Sequence, residues 1–270
     1  MQYDPVKDRF GRLVEGRPRL MRLFFAALQI LFLRAWYVRR ALRSHLAGLK
    51  GPVRVLDAGA GFGQFSYWIL RNFSGVRLHA VDVKEDYLRE AEALMRSTGL
   101  DSRSTFGVDD LTRLRTTGPY DLILSVDVME HIEEDVEVFR NFHRVLRPGG
   151  VLIVNTPSDQ GGSDVHESDE ESFISEHVRD GYAVDELRSK LEASGLVVES
   201  IDYTYGRWGS LAWRISIKWP MMLLNASWLF VVLLPLYYVP VLPAALILNA
   251  LDVSTPVDRG TGLIAVARRA

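Results

Sequence analysis

Three glycines follow a short apolar segment at alternate positions, and an aspartate precedes them. These residues are Asp57, Gly59, Gly61 and Gly63, and we call Asp57–Gly63 the glycine turn. A side chain at such a turn would hold a ligand away from the backbone, whereas glycine lets it approach closely. In open α/β sheets, ligands bind at the carboxyl ends of the strands. The glycine turn therefore predicts a small-molecule site at the end of the first strand.

Carboxylates also end the next two predicted strands. Asp82 closes the segment Val76–Asp82, and Asp109 and Asp110 follow Ser104–Val108. A carboxylate at the first position can accept hydrogen bonds from both hydroxyls of a ribose, and one at the second position can reach an adenine amino group. Asp109 and Asp110 are alternatives for the second role, and either could instead cap the short helix that follows. The pattern predicts a cofactor that contains a nucleoside.

Together these motifs resemble the class I S-adenosylmethionine-dependent methyltransferases, and most of all the quinone-biosynthesis branch (methyltransferase type 11). The resemblance covers about Val53–Tyr203 and the last strand. Besides the glycine turn and Asp82, it depends on Asp110–Leu114, Tyr120–Ile132 and Leu146–Gly150.

The resemblance implies S-adenosyl-L-methionine as the cofactor. It places the three glycines beside the methionine part, Asp82 on the ribose, and Asp109 or Asp110 with Leu111 on the adenine. The loop after Ser125 would lie beside the transferred methyl group. The predicted cofactor-binding residues are therefore Asp57, Gly59, Gly61, Gly63, Asp82, Asp109, Asp110, Leu111 and Ser125.

A nicotinamide-dependent dehydrogenase is the nearest competing interpretation of the glycine turn. Its fingerprint is G-x-G-x-x-G/A, with a pyrophosphate on the helix N-terminus. In this chain the third small position is occupied by Gln64. The spacing therefore favours a cofactor without a pyrophosphate.

Apolar strand patterns alternate with helical ones, which predicts an α/β fold with a doubly wound, mostly parallel seven-stranded Rossmann-like sheet. An N-terminal helix precedes this sheet, and an apolar helical insertion precedes its last strand. The predicted strands are Val53–Asp57, Val76–Asp82, Ser104–Val108, Tyr120–Ser125, Gly150–Asn155, Val197–Tyr203 and Gly262–Ala267. The predicted helices are Pro18–Leu46, Gly63–Phe73, Glu85–Ser97, His131–Leu146 and Val184–Ala193.

Histidines supply the candidate catalytic bases. If the methylated atom is a hydroxyl oxygen or an acidic carbon, a base should remove its proton. We predict His131, at the start of a helix beside the expected methyl site, and His177, in a segment that precedes the next helix. His143 is expected to be structural. His166 lies in a solvated acidic loop, so no metal site is expected.

Arg179 and Tyr182 follow His177 closely and are candidate contacts for the methyl acceptor.

Composition limits the partners. The net charge is −2, so global attraction to nucleic acid is not implied, and none is predicted. The chain contains no cysteine, which excludes thiol catalysis and suits a reducing compartment. No acidic residue lies between Glu15 and Asp57, whereas nine lysines and arginines do. The helix in this interval is therefore expected either to pack over the cofactor or to lie in a membrane interface with its arginines on headgroups.

A long segment without any charged residue, Trp219–Leu251, lies between the last two predicted strands. If these strands pair in one sheet, the insertion must leave and return on the same side. Pro235, Pro240 and Pro243 are expected to break it into limbs of about 16 residues, or about 24 Å each, short of a ~30 Å hydrocarbon core. We therefore predict a re-entrant or in-plane helical pair.

We predict three regions. Residues 1–50 form a basic and apolar helical segment, and residues 51–205 with 261–270 form a methyltransferase domain. Residues 206–260 form a membrane-associating insertion. The predicted function is methyl transfer to a lipid-like or quinone-like acceptor at the cytoplasmic face of the inner membrane, with peripheral or monotopic attachment. The alternatives are a soluble small-molecule methyltransferase that dimerises through the apolar segment and a non-catalytic cofactor-binding membrane scaffold.

Overall fold

Seven strands form one sheet in the order β3-β2-β1-β4-β5-β7-β6. The computed structural model describes residues 17–49, 51–161 and 178–270. The strands are β1 Val53–Ala58, β2 Val76–Asp82, β3 Ser104–Val108, β4 Tyr120–Val126, β5 Leu146–Pro157, β6 Leu196–Thr204 and β7 Gly262–Arg269. Neighbours from β3 to β5 are parallel, and β7 is antiparallel to both β5 and β6. The predicted fold class is confirmed.

Helices cover both faces of the sheet. They are α1 Pro18–Leu31, α2 Leu33–Leu46, α3 Gln64–Asn72, α4 Glu85–Ser97, α5 Asp135–Val145, α6 Val184–Ala193, α7 Arg207–Trp213, α8 Trp219–Ala226 and α9 Leu234–Ser254. One core cluster joins α5 and α6 to the sheet, and the other joins α2 and α3 to its opposite face. Because the order of the strands reverses between β1 and β4, the carboxyl ends of these strands border a crevice.

The N-terminal helical segment is bent. We predicted one helix over Pro18–Leu46, but α1 and α2 meet at an angle of 89° at Phe32, which has an extended backbone. The inward side chains of α1, such as Phe25, pack on α4 and the glycine turn, whereas those of α2 pack on the sheet. Tertiary packing in two directions therefore overrides a helical periodicity that continues through the bend.

The segment after β4 also differs from the prediction. His131 was expected to start a helix ending at Leu146, but Met129–His131 is a single 3-10 turn and α5 begins at Asp135. Arg179 donates hydrogen bonds to the backbone oxygens of Ile132 and Glu133, which hold this stretch in a non-helical conformation. The strand β5 begins at Leu146, four residues earlier than predicted.

The insertion leaves and returns at one edge of the sheet. Thr204 at the end of β6 is paired with Gly262 at the start of β7, so the two ends of the insertion are adjacent. Asp252 near the end of α9 accepts hydrogen bonds from the amides of Gly206 and Gly209 and from the Tyr37 hydroxyl. We call residues 207–254 the apolar hairpin. Its first limb is 207–226 and its second limb is 229–254.

The predicted break at the prolines is wrong. The helix α9 begins one residue before Pro235 and continues for 21 residues through Pro240 and Pro243. Proline at the first turn of a helix loses no hydrogen bond, and apolar helices accommodate internal prolines. Together with the preceding 3-10 turn, Leu229–Ser254 is a 26-residue segment whose most apolar 18-residue window has a mean hydropathy of 2.2, long enough by length and composition to cross a membrane. The chain instead turns near Ser227, which has an extended backbone.

The first limb contains a π-helical segment, Arg214–Lys218, whose cause lies in the sequence. The amide of Trp219 bonds to the Arg214 oxygen, which leaves the oxygen of Ile215 without its usual helical donor. Pro220 has no N–H to give to Ser216, four residues before it. The hydroxyls of Tyr237 and Tyr238 donate to these two oxygens, both at 2.6 Å, and so join the limbs.

Candidate functional site

The glycine turn connects β1 to α3 with its three glycines at positive φ. The amide of Gly59 donates to the Val81 oxygen at 2.9 Å, which ties the turn to β2. A side chain at Gly59 would collide with Val128. At Gly61, which has a φ of 53°, a Cβ atom would meet no atom within 4 Å. The missing side chain of Gly61 therefore leaves open space at the crevice between β1 and β4.

Asp82 lies beside the glycine turn. One carboxylate oxygen accepts the Gly61 N–H at 2.8 Å, and the other accepts the Lys84 N–H at 2.9 Å. An ionised carboxylate offers about four lone-pair sites, so two stay available for ligand hydroxyls. The carboxylate thus shapes the glycine turn and can still bind a ribose, as expected for a cofactor that contains adenosine.

Asp57 is buried beneath the turn. Its carboxylate accepts the Ser66 hydroxyl at 2.6 Å, which links β1 to α3. Burial raises the pKa of Asp57 to about 6; the hydrogen bond from Ser66 opposes this shift, and the nearby charge of Asp82 adds to it. The side chain orients the first turn of α3 and lies behind the glycine backbone rather than in the open crevice.

Asp109 and Asp110, which follow β3, stabilise the loop in which they lie. Asp109 accepts hydrogen bonds from the amides of Asp110, Arg115 and Thr116 and from the Thr116 hydroxyl. Burial alone would raise the pKa of Asp109, but these hydrogen bonds outweigh it and the pKa is lowered. Asp110 caps the following 3-10 turn through Thr112, and the Leu111 side chain is buried in the core. Their predicted contact with adenine stays a prediction.

The carboxyl end of β4 carries Ser125, which was predicted from the sequence, and Asp127, which was not. Ser125 is buried, and its hydroxyl has no hydrogen-bond partner among the described residues. Asp127, two residues later, has a φ of 52°, and its amide donates to the Asn155 oxygen. Its carboxylate forms an ion pair with Arg34, which lies in the first turn of α2. The position of Asp127 directly after a strand was a signal for it, whereas no sequence signal pointed to Arg34.

The histidines differ in their placement. His131 lies on the exposed side of the 3-10 turn after β4. His143 packs beside Gly195, away from the crevice. His166 and His177 lie outside the described residues. The predicted roles of His131 and His177 as bases stay predictions.

Arg179 and Tyr182, which we considered as acceptor contacts, are already engaged. Both bind Asp135, which is buried, and Lys190 joins the same carboxylate at 2.7 Å. Tyr182 is fully buried and also donates to the Met129 oxygen. This cluster attaches the segment from Val178 onward to the loop after β4. We therefore assign Arg179 and Tyr182 to the support of the site.

The comparison with known proteins agrees with this geometry. A family model described as a methyltransferase domain matches residues 55–150. These residues contain the glycine turn, Asp82 and the end of β4, which border the crevice. The chain contains a class I S-adenosylmethionine-dependent methyltransferase domain. This confirms the predicted membership and the cofactor class.

Two curated relatives share parts of this methyltransferase domain. The methyltransferase GfsG of Streptomyces halstedii is 33% identical over 102 residues, or 37% of this chain and 36% of that protein. A ubiquinone biosynthesis O-methyltransferase of Caulobacter sp. (strain K31) is 31% identical over 104 residues, or 38% and 40%. The chain thus spans about two fifths of the length of these curated relatives.

Among solved structures, the methyltransferase domain is similar to geranyl diphosphate C-methyltransferase of Streptomyces coelicolor A3(2) in complex with S-adenosyl-L-homocysteine. The two are 16% identical, with a TM-score of 0.57 over 86% of this chain and 74% of that one. At this identity the likeness supports the fold. The residues present also fit the cofactor, because the glycine turn has open space at the Cβ position of Gly61, and Asp82, which accepts the Gly61 N–H, keeps free lone pairs. Within residues 17–49, 51–161 and 178–270, no acidic or histidine cluster suited to a metal ion occurs.

Proposed function

We propose that the protein transfers a methyl group from S-adenosyl-L-methionine to a hydrophobic, lipid-like or quinone-like acceptor at the cytoplasmic face of the membrane, to which the apolar hairpin attaches it. The observation that carries this proposal is the exposure of the hairpin tip, by which we mean residues 227–239, from the turn at Ser227 into the start of α9. Leu229, Leu236 and Val239 are 81%, 74% and 70% exposed, respectively. An apolar surface that is continuous along a helix and not covered by protein is typical of a membrane or partner contact.

The tip contrasts with the base of the hairpin. Near the base, Ala245, Asn249 and Asp252 of α9 are buried against the domain. Toward the tip, only 6% of the most apolar window of the second limb is buried. The amount of apolar surface left open therefore increases with distance from the methyltransferase domain, which favours insertion of the tip into lipid.

Charge limits the depth of insertion. The first limb carries Arg214 and Lys218, and the eight residues of α8 that follow them extend about 12 Å. This length is less than half of a ~30 Å hydrocarbon core. Because both limbs return to one edge of the sheet, the second limb cannot complete a crossing alone. We therefore infer a re-entrant, monotopic hairpin, for a reason different from the proline break that the sequence suggested.

Aromatic and cationic side chains mark the expected level of the headgroups. Arg207 stacks on Trp208 at 4.5 Å, and Lys218 lies 5.9 Å from the Trp213 ring. Tryptophan and basic residues concentrate at membrane–water interfaces, where anionic lipids attract the cations. These pairs precede the apolar tip along the first limb, as a hairpin that enters from the cytoplasmic side requires.

The chain's own residues account for binding and positioning. The cofactor, when bound, supplies an activated methyl group on a sulfonium. Asp82 holds the ribose, the glycine turn borders the methionine part, and the end of β4 at Ser125 and Asp127 borders the expected acceptor side. Holding an acceptor in line with the reacting bond can contribute about 7–11 kcal/mol. Proton removal is assigned to His131 or His177, as predicted from the sequence.

Label transfer tests the proposal. The full chain, in vesicles made from a total membrane lipid extract, is incubated with cofactor carrying a labelled methyl group. Label in an organic-phase product is the expected result, and mass spectrometry then identifies the acceptor. Asp82→Ala is the negative control for cofactor binding.

Two other outcomes would replace the proposal. Label found only in water-soluble compounds, together with a detergent-free dimer in light scattering, would favour the soluble enzyme. Tight cofactor binding without methylated product would favour the scaffold.

A further inference from the structure

Arg34 connects the base of the apolar hairpin to the methyl-acceptor edge of the sheet. Its guanidinium forms the ion pair with Asp127, and its backbone N–H donates to the Tyr205 hydroxyl at 3.0 Å. These two bonds point in different directions from one residue. Arg34 therefore contacts both the end of β4 and the start of the insertion.

Tyr205 is the junction on the hairpin side. It lies between β6 and α7 and has a φ of 56°, which is rare for a residue with a side chain. Its backbone oxygen accepts hydrogen bonds from the Ser210 hydroxyl in the first limb and from the Thr261 amide after the second limb. A displacement of either end of the hairpin is therefore transmitted to Tyr205.

The position of Arg34 is unfavourable for the helix α2. A cation in the first turn of a helix opposes the helix dipole, at a cost of about 0.3–1 kcal/mol. The side chains of Arg34 and Asp127 are each 31% exposed, so an oxygen atom of a ligand at the end of β4 can reach the guanidinium and accept a hydrogen bond from it. The Nε atom is buried and lacks a hydrogen-bond partner among the described residues. The two partners of Arg34, Asp127 and Tyr205, both have a positive φ, and backbone strain of this kind clusters at functional sites.

We propose that Arg34 is the acceptor-positioning residue: held by Tyr205 at the hairpin base, it fixes Asp127 and binds an oxygen atom of the acceptor head as the acceptor leaves the bilayer along the hairpin. This inference rests on the proposed function and adds that the acceptor carries an oxygen-bearing polar group near the methylated atom. Arg34 acts on the acceptor and not on the cofactor.

The test separates acceptor binding from cofactor binding. The variants are Arg34→Gln, Arg34→Lys and Tyr205→Phe in the full chain, and the rate of label transfer is measured while the lipid extract is titrated. Arg34→Gln and Tyr205→Phe are expected to raise the apparent KM for lipid about tenfold, the scale of one charge-assisted hydrogen bond. The Kd for S-adenosylhomocysteine should change less than about twofold. Arg34→Lys should restore only part of the loss, because it keeps a charge and a donor beside Asp127 but not the planar guanidinium.

Matched controls are available in the same sheet. Tyr203→Phe removes a hydroxyl two residues before Tyr205, one that binds only Gln160 among the described residues. Arg147→Gln breaks an ion pair with Asp121 at the opposite end of β4. Neither control should change the apparent KM for lipid. A loss of kcat alone, or an equal loss of cofactor affinity in the Arg34 variants, would overturn the proposal.

Hydrogen exchange gives a readout that needs no turnover. In Tyr205→Phe, exchange should accelerate both in residues 33–37 and in residues 126–129, because the link between them is lost. If the wild type labels no lipid, the proposed function fails, and this measurement still decides the link. Accelerated exchange confined to residues 203–207 would show that Arg34 does not transmit the change at Tyr205 to the end of β4.

Discussion

The carboxylate of Asp82 accepts the N–H of Gly61 at 2.8 Å. This bond joins the end of β2 to the glycine turn after β1. It aligns the free lone pairs of the carboxylate with the crevice, so that one residue both shapes the site and contacts the ligand.

Asp82→Ala should therefore weaken cofactor binding by about 1.5–3 kcal/mol, the scale of lost charge-assisted hydrogen bonds. Isothermal titration calorimetry with S-adenosylmethionine measures the change. Asp86→Ala is the matched control, because the exposed Asp86 side chain pairs only locally, with Arg89. Unchanged affinity in Asp82→Ala would remove Asp82 from the site.

The buried carboxyl group of Asp57 predicts a pH dependence of stability. Its pKa is raised to about 6 in the folded protein, against about 3.9 in an unfolded chain. The folded state therefore holds a proton that the unfolded state releases between these values. The stabilisation that this bound proton gives to the folded state is complete below pH 4 and is lost as the pH rises to about 6. Its upper bound is about 3 kcal/mol.

Asp57→Asn does not titrate and can still accept the Ser66 hydroxyl. The difference in Tm between the wild type and this variant should accordingly shift against the wild type as the pH rises from about 4 to 7. Differential scanning fluorimetry across this range measures it. A difference that stays constant with pH would mean that Asp57 titrates normally.

Much of the domain could be predicted because its signals are local. The glycines, the acids that end the strands and the alternation of strand and helix patterns depend on short segments. The bend at Phe32 was not predictable in this way, because the apolar spacing continues through it. The bend depends on α1 and α2 packing against different partners.

The site was predicted less completely than the fold. Asp82 could be predicted, because its role depends on the adjacent turn. Arg34, which reaches Asp127 across 93 positions of the chain, and Tyr205, which binds the Arg34 backbone, could not. Such long-range pairs have no local pattern. The predicted break at the prolines was wrong for the opposite reason. Proline has a local helix-breaking effect, but α9 accommodates it and continues through Pro240 and Pro243.

A buried carboxylate supports the loop after β4. Asp135 is bound by Arg179, Lys190 and the Tyr182 hydroxyl, and these cations are themselves mostly buried. Burial alone would raise the pKa of Asp135, but the hydrogen bonds from Lys190 and Tyr182 and the charge of Arg179 lower it.

Asp135→Ala should therefore reduce the free energy of unfolding by about 3 kcal/mol, since Arg179 loses its carboxylate partner and Lys190 keeps only Glu186 among the described residues. Urea denaturation measures this change. Glu137→Ala on the same helix breaks an exposed pair with Arg140 and should cost less than about 1 kcal/mol. Equal effects of the two variants would contradict the structural role of Asp135.

The hairpin tip permits a test in which membrane attachment and folding give opposite answers. Leu236 is 74% exposed and does not belong to the buried core, so Leu236→Lys should change the free energy of unfolding by less than about 0.5 kcal/mol. In lipid the same charge should cost about 2.5–3.5 kcal/mol, which is enough to move much of the protein into the soluble fraction.

Val197→Lys places the same charge on the exposed edge strand β6, where Val197 is 54% exposed, and should leave attachment unchanged. Flotation of vesicles with each variant measures the distribution. If Leu236→Lys floats with the vesicles as the wild type does, the tip is not in lipid; if it instead unfolds the protein, the tip is covered by another protein surface.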